Sequence, residues 1–151
     1  MSDLAIRAAL MTDVPGIVAM LADDMLGALR EDPSDLSPYY AAFDRVTADP
    51  TQHLLVAERG GELLGTMQLF VLHGLASRGS TRVQVESVRI AASARGAGLG
   101  TALMEWAIEF ARSSGASVVQ LTSHSSRSDA HRFYQRLGFE HSHHGYKLML
   151  R

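Results

Sequence analysis

The sharpest constellation of chemically useful residues is Arg95-Gly96-Ala97-Gly98-Leu99-Gly100-Thr101, in which three glycines alternate between an apolar run ending near Ile90 and an amphipathic stretch beginning at Gly98. Glycines at this spacing let the backbone turn tightly and present several N–H groups at the positive end of a helix dipole, which suits a phosphate or pyrophosphate. Arg95 adds a full positive charge at the mouth. A connector that needs only close packing would use the same glycines, so both readings stand on the spacing alone. No Gly-Lys-Ser/Thr follows, which excludes a Walker loop. The preceding strand comes in mid-chain after a hairpin instead of opening a run of strand–helix–strand units, so a dinucleotide-binding fold fits poorly.

Other candidates are isolated residues. Glu86 is the only carboxylate between Leu63 and Leu103; an acid alone in an apolar strand is either held by a partner or functional. Tyr134 precedes Gly138-Phe139 on a short helical stretch, where it serves as a core residue or as an acid with a phenolic proton. His141, His143 and His144 raise the question of a metal, but period-two histidines without a carboxylate cluster read as a solvated face. His124 and His131 read as locally satisfied histidines, and Tyr39, Tyr40 and Phe43 as packing residues. The chain has no cysteine, which excludes a disulfide framework, a thiolate metal site and a thiol nucleophile.

Hydrophobic periodicity supplies the elements that must position these groups. Leu4 to Ala9 alternates as a strand. Thr12-Asp13-Val14-Pro15 carries helix-start chemistry, and Ile17, Met20, Leu21 and Met25 continue at helical spacing, predicting a helix from Pro15 to Leu29. Glu31 to Pro38 reads as a loop and Tyr39 to Thr47 as a second helix. His53 to Arg59 and Leu63 to Leu72 are strand-type runs joined by Gly60-Gly61, a two-residue hairpin signal. After the turn-rich Gly74 to Ser80, the alternation of Arg82 to Ile90 slips near Glu86, which fits a β-bulge or burial of both faces. Leu99, Leu103, Trp106 and Phe110 line one face of a helix from Gly98 to Ser113. Ser117 to Thr122 reads as a strand, Asp129 to Leu137 as a helix, and Phe139 towards Leu150 as a last strand. Together these predict an α+β (mixed α/β) fold, with helices packed on the faces of its sheet.

With 151 residues, 46% of them apolar, the chain is the size of one ordinary globular domain. Asp3 precedes any apolar run and no uninterrupted run of about 18 apolar residues occurs, so neither a signal peptide nor a membrane span is expected, and the cytoplasm is the expected location. Net charge is −2, which does not favour a nucleic-acid binder. Residues 1–62 hold eleven acids and four arginines, and residues 63–151 five acids and ten bases. If that split is more than uneven scatter, it predicts attraction of a polyanion to the second part and of a cationic acceptor to the first.

Two motifs in order carry a family resemblance. Arg95-x-x-Gly98-x-Gly100 is similar to the pyrophosphate loop of the GNAT superfamily of acyl-CoA-dependent N-acetyltransferases. Ala130-x-x-Phe133-Tyr134-x-x-x-Gly138-Phe139 resembles that family's late helix with its tyrosine, and Val85 to Ile90 sits where such proteins keep the strand that receives the cofactor. The resemblance covers the chain from Leu4 onward and implies a single N-acetyltransferase domain over residues 1–151. Its fold would be a central mixed, mostly antiparallel twisted sheet with helices on both faces. Ala92 stands where a proline is common, and Arg127 where many members have an asparagine on the pantetheine arm. The run Arg127-x-Asp129-Ala130-His131-Arg132-Phe133-Tyr134 also resembles aminoalkylphosphonate N-acetyltransferases.

The resemblance further implies acetyl-CoA as co-substrate, no metal, and a small-molecule or peptide amine as acceptor. It places the pyrophosphate on Arg95, Gly96, Ala97, Gly98, Leu99, Gly100 and Thr101, and the pantetheine arm on Val88, Arg89 and Ile90. Tyr134 lies beside the thiol as proton donor, and Glu86 is the candidate base. Neither nucleic acid nor membrane is an expected partner; a homodimer is the expected assembly. The competing expectation is a non-catalytic acyl-CoA-binding sensor or regulatory domain of the same fold.

Overall fold

Five strands, β1 (Ala5–Ala8), β2 (Gln52–Arg59), β3 (Glu62–His73), β4 (Thr81–Ile90) and β5 (Val118–Leu121), form one sheet in chain order in the computed structural model, which describes residues 3–150. Strands β1 to β4 pair antiparallel. The Ser117 N–H donates to the Thr81 carbonyl at 2.9 Å, and the Gln120 side chain reaches Gln84 across the same separation of 36 residues, so β5 runs parallel to β4. The sheet is therefore mixed and mostly antiparallel, as expected. Gly60 and Gly61 turn the β2–β3 hairpin at φ 58° and 83°, a conformation that disfavours residues with a Cβ.

The helices are α1 (Val14–Ala22), α2 (Met25–Arg30), α3 (Ser37–Ala48), the one-turn α4 (Ala76–Gly79), α5 (Leu99–Ser113) and α6 (Ser128–Arg136). Leu55, Ala57, Met67, Leu69, Val83 and Val85 are buried on one face of the sheet, as are Leu103, Met104, Ala107 and Ala111 of α5. A Cβ on Gly65 would come within 3.1 Å of the Leu103 side chain, so this glycine lets α5 lie close on β3. Each fully buried Leu, Met or Val here contributes about 1.5–3 kcal/mol. The opposite face carries Leu54, Val56 and Leu63, covered by Val14, Ile17 and Val18 of α1 and Phe43 of α3. Tyr39 and Tyr40 pack against this cluster, in keeping with their reading as packing residues.

Two expectations need correction. The helix predicted from Pro15 to Leu29 is broken at Asp23-Asp24: Asp23 has ψ 47°, and the Asp24 carboxylate caps a new helix by accepting from the Gly27 N–H. A Cβ on Gly27 would sit 1.9 Å from the Leu21 carbonyl oxygen, so only glycine fits where the chain doubles back. The strand predicted from Phe139 towards Leu150 is not formed; residues 139–150 have no regular structure. Apolar alternation supplies a strand's side-chain pattern but not the partner whose N–H and C=O groups make the ladder, and Tyr146, Leu148, Met149 and Leu150 are 82–92% exposed.

The described chain packs as two compact units, one up to Gln120 and one from Leu121 onward. The first holds β1 to β4, α1 to α5 and most of β5. The second holds α6 and the irregular residues that follow, of which Leu137 and Phe139 donate their N–H groups back to the Tyr134 carbonyl.

Candidate functional site

The slip in alternation near Glu86 is a β-bulge. Gln68 is level with Glu86 and Thr66 with Arg89, so Ser87 and Val88 together face Met67. Ser87 takes φ 54°, a left-handed conformation uncommon outside glycine, asparagine and aspartate. The bulge restores β4 to the sheet with Arg89 on the same face as Glu86. On the β3 side, the Ala91 N–H donates to the Leu64 carbonyl at 2.8 Å. On the β5 side, the side-chain link between Gln84 and Gln120 lies near the end of the shared ladder, and Val88, Arg89 and Ile90 continue past it.

Directly after β4, a short turn at Ala92–Ala94 leads into the glycine loop. Gly96 and Gly98 stand at φ 81° and 79°, and a Cβ at either would meet nothing within 4 Å. The loop floor is therefore open, and glycine is required there by backbone conformation. Gly98 is the residue before α5 and brings no side-chain cap. The first return bond of the helix is from the Ala102 N–H to the Gly98 carbonyl, and the N–H groups before it have no partner within the helix. A strand edge feeding an open, glycine-lined helix start fits a pantetheine arm and its pyrophosphate.

Arg95 stands at this loop. Its Nη2 lies 3.1 Å from Asp23 Oδ2, and its Nε donates to the Ile90 carbonyl at 3.3 Å. Both side chains of the ion pair are 54% exposed; such pairs are worth about 0–1 kcal/mol, so Asp23 holds the guanidinium only weakly. Arg89 lies 4.0 Å from Asp24 Oδ2 and donates to the Val88 carbonyl at 3.0 Å. The break between α1 and α2 thus presents two consecutive carboxylates to the two arginines that flank the end of β4.

Glu86 is half-buried and accepts from the Gln84 side-chain amide at 2.8 Å. Glu86, Val88 to Ile90 and Arg95 to Thr101 lie together on one strand–loop–helix run of the first unit. Tyr134 lies in the second unit, half-buried, its ring edge-on to Phe133 and Phe139 at 5.1 and 5.9 Å. His124 and His131 fold onto their own turn: His124 Nδ1 lies 2.8 Å from Ser126 Oγ, and His131 Nε2 lies 3.0 Å from the His124 carbonyl. Arg127 immediately precedes α6 and adds no side-chain cap to it. His141 and His144 touch ring to ring at 5.8 Å. Among the described residues, no three His, Asp or Glu side chains are placed to hold a metal ion.

Tyr39 accepts from the Asp32 N–H at 2.8 Å and donates to Glu31 Oε1 at 3.0 Å. Burial, and after it the Glu31 carboxylate, raises its pKa above the ordinary tyrosine value against the opposing Asp32 bond. The sequence reading missed Asp23 as the partner of Arg95, and Gln84 and Gln120 beside Glu86. The Asp23-Asp24 doublet and the Gln84-x-Glu86 spacing were the available signals.

The model of the Acetyltransferase (GNAT) family matches residues 17–139. An aminoalkylphosphonate N-acetyltransferase of Salmonella typhimurium is 30% identical over 141 residues, covering 91% of this chain and 86% of that protein. An L-methionine sulfoximine/L-methionine sulfone acetyltransferase of Pseudomonas aeruginosa is 31% identical, covering 90% of this chain and 80% of its own. A solved structure described as a transcriptional regulator from Bacillus halodurans superposes with a TM-score of 0.93 at 41% identity, covering 97% and 99% of the two chains. No helix among the described residues is long and apolar enough to cross a membrane. The family match spans the bulged strand, the glycine loop and the tyrosine helix together, and the chain belongs to the GNAT family as an N-acetyltransferase that moves an acetyl group from acetyl-CoA to an amine.

Proposed function

We propose that the chain acts as a single domain over residues 1–151 and acetylates a small-molecule amine by direct transfer in a ternary complex with acetyl-CoA. The observation that carries this reading is the continuous run from the Val88–Ile90 edge through the positive-φ glycines to the open start of α5. N–H groups around Arg95 to Thr101 hold the pyrophosphate, with Arg95 exchanging Asp23 for phosphate. The backbone of Val88 to Ile90 pairs with the pantetheine amides like an added strand. The Val88 N–H donates to the thioester oxygen as negative charge develops on it.

An ammonium acceptor sheds two protons on becoming an amide. Glu86 accepts one through water, Tyr134 protonates the departing thiolate, and the second amine proton restores the phenol. With no cysteine in the chain, a cysteinyl-acyl intermediate is excluded. Initial rates measured while both substrates vary should give intersecting double-reciprocal lines. Parallel lines would instead indicate an acyl-enzyme.

The two curated relatives are named for small amines that also carry an acidic or strongly polar group. We place the acceptor in that class, neither nucleic acid nor a membrane component. A cytoplasmic homodimer is the proposed assembly, and sedimentation of the purified chain checks it. The name of the Bacillus halodurans neighbour favours one second reading, an acyl-CoA-binding regulator without turnover.

A further inference from the structure

Glu86 and Gln84 are two apart on β4 and so project from one face of the sheet. The parallel offset of 36 residues brings Gln120 of β5 beside Gln84. Gln120 Nε2 donates to Gln84 Oε1 at 3.0 Å, and Gln84 Nε2 donates to Glu86 Oε1 at 2.8 Å. All three side chains are half-buried.

The direction of this relay follows from the donors available. An ionised carboxylate only accepts, so Gln84 must turn its NH2 to Glu86. A flipped amide would set its oxygen against the carboxylate. Gln120 donates to that same Gln84 oxygen and thereby favours the productive orientation. Gln68, directly across from Glu86 on β3, turns its NH2 the other way, to Gln52 Oε1 at 3.1 Å; Gln52 in turn donates to Asp49 Oδ2 at 3.0 Å.

We infer that Gln84, held by Gln120, is a positioning residue that fixes one oxygen of the Glu86 carboxylate and leaves the other to take the acceptor's proton. This inference rests on the reading of Glu86 as base. A base acts only within hydrogen-bond reach of the proton it takes, directly or through one water, and a glutamate without the relay can turn about three side-chain torsions. The relay joins β4 to β5 beside the bulge, so it fixes the carboxylate close to where the acetyl-bearing arm is placed.

The test is a double-mutant cycle of Gln84→Leu, Glu86→Gln and the pair, with Gln120→Leu as a second probe, read as separate kcat and KM values. Gln84→Leu should lower kcat roughly tenfold, leave the acetyl-CoA KM within about twofold, and have an effect below about twofold in the Glu86→Gln background. Gln120→Leu, which leaves Gln84 free to flip, should lower kcat by a smaller factor and decides the matter if Gln84→Leu does not fold. Equal losses in both backgrounds, an effect confined to the acetyl-CoA KM, or no loss would each overturn the proposal. If Glu86→Gln leaves turnover unaltered, the base reading and the relay fail together while acetyl transfer stands; absence of any transfer by the wild-type chain would mark failure of the enzyme reading itself.

Discussion

A phenol and a carboxylate divide the proton traffic of the proposed reaction, and their surroundings differ. Tyr134 is set among Phe133 and Phe139, so Tyr134→Phe should preserve the ring packing while removing the proton. Turnover should fall by about 10²- to 10⁴-fold with acetyl-CoA affinity nearly unchanged. Steady-state rates with direct measurement of cofactor binding check this, and turnover retained within about twofold would leave Tyr134 a packing residue. Arg95 and Tyr134 were candidates from the sequence because each stands in a local motif, and Glu86 because it is the one acid in an apolar strand. The side chains that hold Glu86 and Arg95 were not: Gln120 lies 36 residues from Gln84 and Asp23 lies 72 from Arg95. Such pairs are set by strand order and by the break after α1, which residue spacing along the chain does not encode.

The glycine loop and the strap at the start of α1 are the elements with the most direct consequences. Acetyl-CoA at one hundred times its dissociation constant should stabilise the fold by about 2.7 kcal/mol, visible as a rise in melting temperature. Gly96→Val and Gly98→Val place a β-branched residue at positive φ and should abolish that rise. A full rise in both variants would remove the loop from the site.

At the strap, Arg7 of β1 bonds Asp13 at 2.7 Å and Glu58 of β2 at 3.1 Å, and the Leu10 N–H donates to the same Asp13 carboxylate at 2.8 Å. The Arg7 hydrogen bond is the main cause that holds the Asp13 carboxyl below its usual range, against the opposing effect of burial. A pKa lowered by folding adds stability at pH values above the unfolded carboxylate range, near pH 4, and that stability is lost as pH falls through the folded value. Asp13→Asn should therefore lower unfolding stability by about 1–3 kcal/mol at neutral pH and progressively less in acid. Denaturant midpoints against pH check this, and a constant deficit would contradict it. Elements set by local chemistry, such as the Gly60-Gly61 hairpin and α5, were readable in advance. The break at Asp23-Asp24 turns on a close approach of Gly27 to Leu21 O, and the absent last strand on a missing partner edge.

Over the whole molecule, folding offsets only a small part of the charge split along the sequence. Asp3, Asp13 and Glu58 face Arg59 and Arg7 of the same acidic part, and only Asp23 and Asp24 face arginines of the second part, Arg95 and Arg89. Paired charges produce only short-range fields, so the two carboxylates beside the glycine loop contribute little to long-range attraction of a cationic acceptor. On the acceptor class proposed above, a small amine that also carries an acidic group should be acetylated in preference to a polyamine, at low salt as at high salt. A polyamine preferred at low salt, with that preference lost at high salt, would support electrostatic steering of a cationic acceptor instead. The most direct measurement of the central claim is stoichiometric: free CoA thiol and N-acetylated product counted together when acetyl-CoA is offered with aminoalkylphosphonates, methionine sulfone and polyamines. One thiol should appear per acetylated amine, fastest with the zwitterionic acceptors, and both should vanish in Gly98→Val. Stabilisation of the fold by acetyl-CoA without thiol release for any amine would contradict the enzyme reading and make the chain an acyl-CoA-binding regulator.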